Sequence, residues 1–443
     1  MISGIDMRLT NGSEHGAPGL AAALTEKTGG ALRRIAGDYR PVSVMLVLAT
    51  LMAGLLSYAQ TSSKTAPISQ PPRVSGAATG SVVQSVPGPW GQLEEIRINT
   101  EPPEDFVAQH YRYGTAQWVL PIYNREQVVQ LFKSARLSDA QQKSLFRDAV
   151  ENPLAGGWTF RPDKELLLSL TPESRRRLYL ALAEFPQNAA QYEPFRWRAE
   201  SLDEWFANSG VSDETVNLVK KLLYYRGQAV LFADPELVLA TLNQPEDRLR
   251  LLKTLSRQST LLVKLTLRPD SDIDKLVEYW GRGGRSTDIR PLLDSLVKVP
   301  EGCSLDIVHL LPRFARQRLY TYPILNQGFV DPKYDCHWSS MNFWNDPPDN
   351  RLGEDPRYAR EVLERDYDLV GKPYALGDLL FLTNGNRDAI HSAAYIADDI
   401  VFTKNGSSII SPWILMRLSR LVSYYENQDD DLQLLVYRRK DNK

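Results

Sequence analysis

The four residues Asp335-Cys336-His337-Trp338 form a turn that leads into a predicted helix, with the cysteine at the start of that helix. Further along the chain, His391 begins the run His391-Ser392-Ala393-Ala394-Tyr395-Ile396, which is typical of a buried strand. A cysteine at a helix start and a histidine on a rigid strand can bring a thiol beside an imidazole in the folded chain. This pair can perform the chemistry of a cysteine hydrolase, so Cys336 and His391 are the first candidate site residues.

The surrounding residues, from 319 to 443, predict a compact α+β domain with antiparallel strands. The turn Gly377-Asp378 leads into a buried strand, and Asp398-Asp399 suits a tight hairpin turn. Strands are expected at Leu379 to Leu382, His391 to Ala397, Ile400 to Thr403 and Leu432 to Tyr437. Helices are expected at Cys336 to Phe343, Pro356 to Arg365 and Pro412 to Tyr424.

Taken together, these segments resemble the NlpC/P60 family of papain-like cysteine peptidases. The matching residues are Tyr322-Pro323, Asp335-Cys336, Gly377-Asp378-Leu379-Leu380-Phe381, and His391 with Ala394-Tyr395-Ile396. The resemblance covers residues 320 to 415, about a quarter of the chain. It implies a papain-like fold, Cys336 as nucleophile, His391 as base and acid, no cofactor, and a peptide substrate, with bacterial peptidoglycan as the expected source.

The family also has a polar residue near the end of the strand that follows the hairpin, and this residue orients the histidine. The candidates by position are Thr403, Lys404 and Asn405. A lysine would oppose a protonated histidine, and Thr403 is the closer match in spacing. Asn405 is the better chemical choice, so we name it as the third catalytic residue.

The chain departs from the family pattern directly after the cysteine, where His337-Trp338 replaces small residues. This pair could shape or narrow the substrate cleft, and His337 itself is expected to be a surface or core residue. An inactive member of the family therefore remains an alternative.

Only two cysteines, Cys303 and Cys336, are present, which excludes a disulfide scaffold and a cysteine-based zinc site. Besides catalysis, Cys336 could form a disulfide with Cys303 or be a small buried core residue. The five histidines follow no metal-ligand spacing, so we predict no metal site.

Composition describes an ordinary globular chain: 443 residues, 43% hydrophobic and 24% charged, long enough for two or three domains. A net charge of -2 gives no electrostatic attraction to phosphate backbones, so no nucleic-acid partner is expected.

The N-terminal part predicts export from the cytoplasm or attachment to the membrane. A basic and polar segment, residues 1–41, precedes the apolar run Val42 to Ala59, and Ser57 and Ala59 are small residues at the positions that signal peptidase reads. Cleavage after Ala59 is the first interpretation, and an uncleaved transmembrane anchor is the second. Either places the remaining chain in the periplasm or cell envelope. Residues 60–100, rich in Ser, Pro, Gly and Gln, predict a flexible linker.

Residues 101–318 predict a mostly α domain of about eight helices. Start signals include Ser138 with Gln141, Thr171-Pro172, Ser212 and Asp234-Pro235. The turn Gly281-Arg282-Gly283-Gly284-Arg285 lacks the lysine and the serine or threonine of a phosphate loop, so a solvated turn between two helices is expected there.

The sequence therefore predicts a multidomain protein in which a mostly α middle domain precedes an α+β papain-like domain. We expect an exported or membrane-tethered cysteine hydrolase that cleaves amide bonds with Cys336 and His391. The main alternative is a non-catalytic cell-envelope binding protein with a degenerate papain-like domain. A third possibility keeps the fold and changes the reaction, to acyl transfer or another hydrolysis.

Overall fold

The computed structural model describes residues 80–111, 116–152, 156–198, 202–227, 229–324, 334–385, 388–425 and 432–441. The predicted basic segment, the apolar run Val42 to Ala59 and residues 60–79 of the predicted linker lie outside these residues, whereas residues 80–100 of that linker contain two strands, Val82–Gln84 and Gln92–Thr100. Within the described ranges, no helix combines the length and the apolar character needed to cross a membrane.

The described strands form four sheets, and every pair of neighbouring strands is antiparallel. The sheet orders are β1-β2-β9-β10, β3-β5-β4, β6-β8-β7 and β11-β16-β12-β13-β14-β15. The strands are β1 (Val82–Gln84), β2 (Gln92–Thr100), β3 (Trp118–Leu120), β4 (Val150–Glu151), β5 (Trp158–Phe160), β6 (Phe195–Arg198), β7 (Tyr224–Arg226), β8 (Ala229–Phe232), β9 (Gln258–Leu267), β10 (Cys303–Asp306), β11 (Tyr367–Leu369), β12 (Leu379–Thr383), β13 (Ala389–Ala397), β14 (Ile400–Lys404), β15 (Trp413–Arg417) and β16 (Gln433–Arg439).

Seventeen α-helices lie in the described part of the chain, so the protein combines helices with antiparallel sheets, as the sequence predicts. They are α1 (Glu104–His110), α2 (Arg125–Ser134), α3 (Asp139–Arg147), α4 (Lys164–Ser169), α5 (Pro172–Leu182), α6 (Ala189–Tyr192), α7 (Leu202–Phe206), α8 (Asp213–Lys221), α9 (Pro235–Leu239), α10 (Pro245–Leu255), α11 (Ile273–Trp280), α12 (Ser286–Leu296), α13 (Arg313–Arg318), α14 (Cys336–Met341), α15 (Arg351–Glu354), α16 (Pro356–Asp366) and α17 (Leu418–Tyr425).

Helix starts in the middle of the chain follow their capping residues. Ser138 and Gln141 form a complete capping box at α3, because each side chain bonds the other residue's backbone N–H. Thr171 and Ser212 accept backbone N–H groups at the starts of α5 and α8. The same region contains strands β3 to β10 as well, which the sequence interpretation does not include.

Strand β12 of the six-stranded sheet begins at a turn that requires glycine. Gly377 has φ +81°, and a Cβ added there would lie 2.2 Å from the Trp344 indole. The next residue, Asp378, is buried and accepts hydrogen bonds from the Ala375 amide and from Arg438 of β16. This turn therefore fastens the start of β12 to its neighbour β16.

The hairpin between β13 and β14 has the predicted turn, with both Asp398 and Asp399 at positive φ. The predicted helix from Pro412 to Tyr424 is wrong in its first half, where the structure has β15, and α17 begins only at Leu418. All of Trp413 to Met416 is buried, so the residues form a continuous apolar run without strand alternation. Such a short run is equally compatible with a buried helix.

A shared hydrophobic core joins the middle of the chain to the six-stranded sheet. Leu261 and Val263 of β9 lie in one cluster with Trp338 of α14, Phe402 of β14 and Leu415 of β15. Contacts group all the described residues into one compact unit.

Candidate functional site

The candidate nucleophile is the first residue of α14. Asp335 caps this helix, since its carboxylate accepts the backbone N–H of Trp338 at 2.8 Å. Cys336 follows, and only 3% of its surface is exposed. The helix start presents a partial positive charge to the thiol, an effect that is typically worth less than about 1 kcal/mol at a helix end.

The candidate base lies on β13, with its partner on β14. His391 Nε2 is 2.8 Å from Thr403 Oγ1, and Thr403 Oγ1 donates its proton to the Ser392 carbonyl at 3.1 Å. A threonine hydroxyl has one proton to donate, so it can only accept from His391. Nε2 therefore bears the ring proton, and Nδ1 keeps a lone pair.

That lone pair is available to the cysteine. His391 Nδ1 is buried and has no hydrogen-bond partner in the described ranges, and the His391 ring lies close enough to Cys336 to lower the pKa of its thiol against the opposing effect of burial. The structure thus places the two first-named candidates, Cys336 and His391, close enough together to interact electrostatically.

A second imidazole also reaches the sulfur, and the sequence interpretation missed it. His337 interacts with the Cys336 thiol, while its Nδ1 lies 3.0 Å from Ser392 Oγ, which in turn lies 2.7 Å from Ser340 Oγ. Burial opposes protonation of His337, but the neighbouring thiolate outweighs it and raises the pKa of His337 to about 9. His337 is therefore a cation at neutral pH. Its position next to Cys336 in the chain is the only sequence signal for this role.

The two imidazoles determine the protonation state of the Cys336 thiol. Burial disfavours the thiolate, yet the charge and hydrogen bonds of His337 and His391 outweigh this cost, so the pKa of Cys336 lies well below its ordinary value. The thiolate, which this lowered pKa favours, is the form that attacks carbonyl carbons.

Two further ionisable groups lie close to this pair. Lys404 is fully buried and donates to the carbonyls of Gly406 at 2.7 Å and Ser408 at 2.9 Å. Burial lowers the pKa of Lys404 to about 7, against the opposing charges of Asp335 and Cys336. Burial and the adjacent thiolate raise the pKa of Asp335 to about 6.

Asn405, the third residue named from the sequence, does not contact His391 in the structure. Thr403 occupies the far side of the imidazole, as its spacing indicates, and the Oδ1 of Asn405 is buried elsewhere without a partner among the described residues. Threonine occupies this place because Thr403 lies within β14, beside β13, whereas Asn405 lies beyond Lys404, where β14 ends.

The structure also places the other residues that the sequence singled out. Trp338 is fully buried in the core against Phe314 and Tyr334, so it does not line an open cleft. Cys303 and Cys336 are both free, and Cys303 Sγ lies 3.5 Å from the Leu296 carbonyl. The part of the chain that the structure describes holds no cluster of three or more histidine, cysteine or acidic side chains suited to a metal ion.

Access to the sulfur is restricted. His391 is fully buried, and the ring of Tyr425, the last residue of α17, stacks on the imidazole with centroids 4.4 Å apart and planes 25° apart. A substrate carbonyl can reach Cys336 only after side chains over the pair move.

Comparisons of the chain with protein-family models, with curated proteins and with solved structures give no match.

Proposed function

We propose that this protein is a cysteine hydrolase of the NlpC/P60 type, which cleaves amide bonds with Cys336 as nucleophile and His391 as base and acid. The observation that supports this proposal most strongly is the combination of a Cys336 pKa that His337 and His391 hold well below its ordinary value with a His391 ring whose Nε2 is held by Thr403. A Cys336 that formed a disulfide, or that only filled space in the core, would not require these histidine neighbours.

Before the first half-reaction the thiol proton has passed to His391 Nδ1, and the Cys336 thiolate then attacks the amide carbonyl carbon. The negative charge that develops on the carbonyl oxygen is met by the amides of Cys336 and His337 at the start of α14. His391 then gives its proton to the leaving amine, and a thioester to Cys336 remains.

In the second half-reaction, a water molecule loses a proton to His391 and attacks the thioester carbonyl. The carbon–sulfur bond breaks, the carboxylic acid product leaves, and the thiol is restored. Throughout both steps the His337 imidazolium supports negative charge on sulfur, while Thr403 keeps the His391 ring in the required tautomer.

The proposed substrate is a peptide stem or crosslink of bacterial peptidoglycan. This assignment comes from the resemblance of residues 320 to 415 to the NlpC/P60 family and from the apolar run Val42 to Ala59, which would place the enzyme in the periplasm or cell envelope. In this proposal residues 319–443 form the papain-like part of the protein, and the preceding residues form a helix-rich part that shares a hydrophobic core with it.

The test is digestion of purified sacculi by the full chain, with released muropeptides measured by liquid chromatography and mass spectrometry. Cys336→Ala and His391→Ala are expected to lower the release rate by about a thousandfold or more, since they remove the nucleophile and its base. Cys303→Ala is the matched control, because this free cysteine lies on β10, outside the site. Full release by Cys336→Ala would exclude the proposal.

A second candidate is a non-catalytic cell-envelope binding protein. The restricted access to Cys336, with Tyr425 stacked on His391, favours it. In that case the double variant, Cys336→Ala with His391→Ala, would sediment with sacculi to the same extent as the natural protein. Neither protein would release muropeptides.

A further inference from the structure

Two serine hydroxyls form a closed hydrogen-bond chain with the second imidazole of the candidate site. His337 Nδ1 lies 3.0 Å from Ser392 Oγ, and Ser392 Oγ lies 2.7 Å from Ser340 Oγ. Ser340 Oγ donates to the His337 carbonyl at 3.3 Å, so the chain returns to the residue at which it begins. Ser392 is fully buried, and His337 and Ser340 are 3% and 1% exposed. These groups therefore bond one another and not the solvent.

Side chains from two strands hold the His337 ring. Phe381 of β12 stacks on it, with ring centroids 6.0 Å apart and planes 13° apart, and Ser392 belongs to β13. Nε2 of the ring has no hydrogen-bond partner in the described ranges, so the hydroxyl of Ser392 is the hydrogen-bond partner that fixes the orientation of the ring. Without this hydroxyl the ring would keep the aromatic contact and lose its polar one.

The charge of His337 sets the direction of each hydrogen bond in the chain. A protonated imidazole bears a proton on both nitrogens, so Nδ1 donates and Ser392 Oγ accepts. The Ser392 proton then bonds Ser340 Oγ, and the Ser340 proton bonds the His337 carbonyl, so each hydroxyl accepts once and donates once. A neutral ring that accepts at Nδ1 reverses the bond between the serines and costs the His337 carbonyl its Ser340 donor. The chain is therefore complete when His337 is a cation.

The charge of His337 also acts on the thiol. Asp335 and Cys336 favour the protonated form of the His337 ring, and the ring in turn favours the thiolate. The ionisable groups that interact electrostatically with Cys336 are Asp335, His337, His391, Lys404 of β14 and Tyr425 of α17. Loss of the proton from His337 would remove one of the positive charges that stabilise the thiolate.

We propose that Ser392 and Ser340 are positioning residues that keep His337 protonated beside the Cys336 thiolate. The two serines act through the His337 ring, which stays charged while His391 exchanges the protons of the reaction. This inference rests on the proposed function, because it concerns the same thiolate. It assigns a role to two buried hydroxyls that the proposed mechanism does not use.

The experiment follows the ultraviolet absorbance of the Cys336 thiolate against pH in the full-length Cys303→Ala variant. The titration of Cys303→Ala with Cys336→Ala is subtracted, because tyrosines also ionise at high pH. Ser392→Ala removes the acceptor of His337 Nδ1 and keeps the backbone carbonyl to which Thr403 donates. We expect it to move the inflection to higher pH by about one unit or more, the size of one lost hydrogen bond to a buried charged group.

Two further variants in the same background separate this role from a structural one. Ser340→Ala takes away the acceptor of the Ser392 proton and should move the inflection in the same direction by a smaller amount. Ser339→Ala is the matched control: it removes a buried hydroxyl from the same helix, but one that bonds the Asp335 carbonyl at 2.5 Å and Trp413 Nε1 at 2.8 Å. Its inflection should not move. Circular dichroism checks folding, and Ser340→Ala decides the outcome if Ser392→Ala does not fold.

An unchanged inflection in folded Ser392→Ala, or an equal shift in Ser339→Ala, would overturn this inference and leave the hydrolase proposal intact. An inflection near the ordinary thiol value of 9.0 in Cys303→Ala itself would overturn both, because no stabilised thiolate would exist. The expected shifts in a protein that releases no muropeptides from sacculi would support this inference and count against hydrolysis alone.

Discussion

At the scale of single residues, the hydroxyl proton of Thr403 decides the protonation pattern of the candidate site. It is donated to the Ser392 carbonyl, so His391 must donate from Nε2 and keep Nδ1 free for the thiol. A carboxylate or an asparagine oxygen would enforce the same tautomer, which explains how a threonine can serve where other polar residues are expected.

Thr403→Val is the variant that tests this role, since valine keeps the shape and lacks the hydroxyl. We expect alkylation of Cys336 by iodoacetamide at neutral pH to slow by about tenfold or more, because His391 is left with an unpaired buried N–H and loses its fixed tautomer. Thr403→Ser keeps the hydroxyl and should react at nearly the natural rate. Equal rates for valine and serine variants would show that the hydroxyl does not orient His391.

The pH dependence of the same reaction separates the contributions of the two histidines. The lowered pKa of Cys336 means that the thiolate persists far below the ordinary thiol value of 9.0, so alkylation should have its inflection well below that pH. His337→Gln removes one positive charge, and the inflection should move to higher pH. The measurement uses the Cys303→Ala background, in which Cys336 is the single thiol. An inflection near pH 9 in the Cys303→Ala variant, which keeps both histidines, would contradict the lowered pKa of Cys336.

At the scale of elements, a buried ion pair joins α5 to the start of α9. Arg175 is fully buried and its Nε lies 3.2 Å from Asp234 Oδ2, while the hydroxyl of Tyr179 donates to Asp234 Oδ1. Burial outweighs this attraction and raises the pKa of Asp234 to about 6. Removing one partner of a buried pair costs more than removing both, because the remaining charge is left uncompensated.

Asp234→Asn should therefore lower the free energy of unfolding by about 3 kcal/mol or more at pH 8, where the carboxylate is ionised. The double variant Arg175→Met with Asp234→Asn should recover a large part of this loss. Asp203→Asn breaks the exposed ion pair with Lys220 and should cost less than about 1 kcal/mol. Urea unfolding followed by circular dichroism measures all three, and a double variant less stable than Asp234→Asn would contradict the expectation.

At the scale of the whole molecule, the middle of the chain and the six-stranded sheet share one interface. Thr260 of β9 exchanges hydrogen bonds with the backbone of Leu415 at 3.1 and 3.0 Å. Tyr279 of α11 donates to the Ile396 carbonyl at 2.6 Å, and Glu95 of β2 pairs with Arg417. These polar contacts lie beside the shared hydrophobic core, so the sheet is not independent of the residues before it.

A fragment of residues 319–443 alone should consequently fail to fold cooperatively, since it would expose the core that β9 and α11 cover. A fragment of residues 80–443 should retain the native melting transition, because it contains both sides of the interface. Thermal melts followed by circular dichroism distinguish them. A sharp transition in the shorter fragment would show that the sheet folds by itself.

Much of the local structure is predictable from the sequence because its causes are local. Ser138 and Gln141 form a complete capping box within four residues, and Asp398 and Asp399 form the complete turn of a hairpin. The same holds for Asp335, whose capping role needs only the following three residues. By contrast, Trp413 to Met416 is a strand because β14 pairs with it and β9, which is distant in sequence, packs beside it.

By itself, the sequence determined the candidate pair Cys336 and His391, since a helix cap and a buried strand are visible in short segments. Only the tertiary structure decided the groups around that pair. Thr403, not Asn405, meets the imidazole, and His337 meets the thiol. The physical reason is that the direction of a side chain follows from strand register and from the packing of α14 against β13, which depend on contacts between residues distant in the chain.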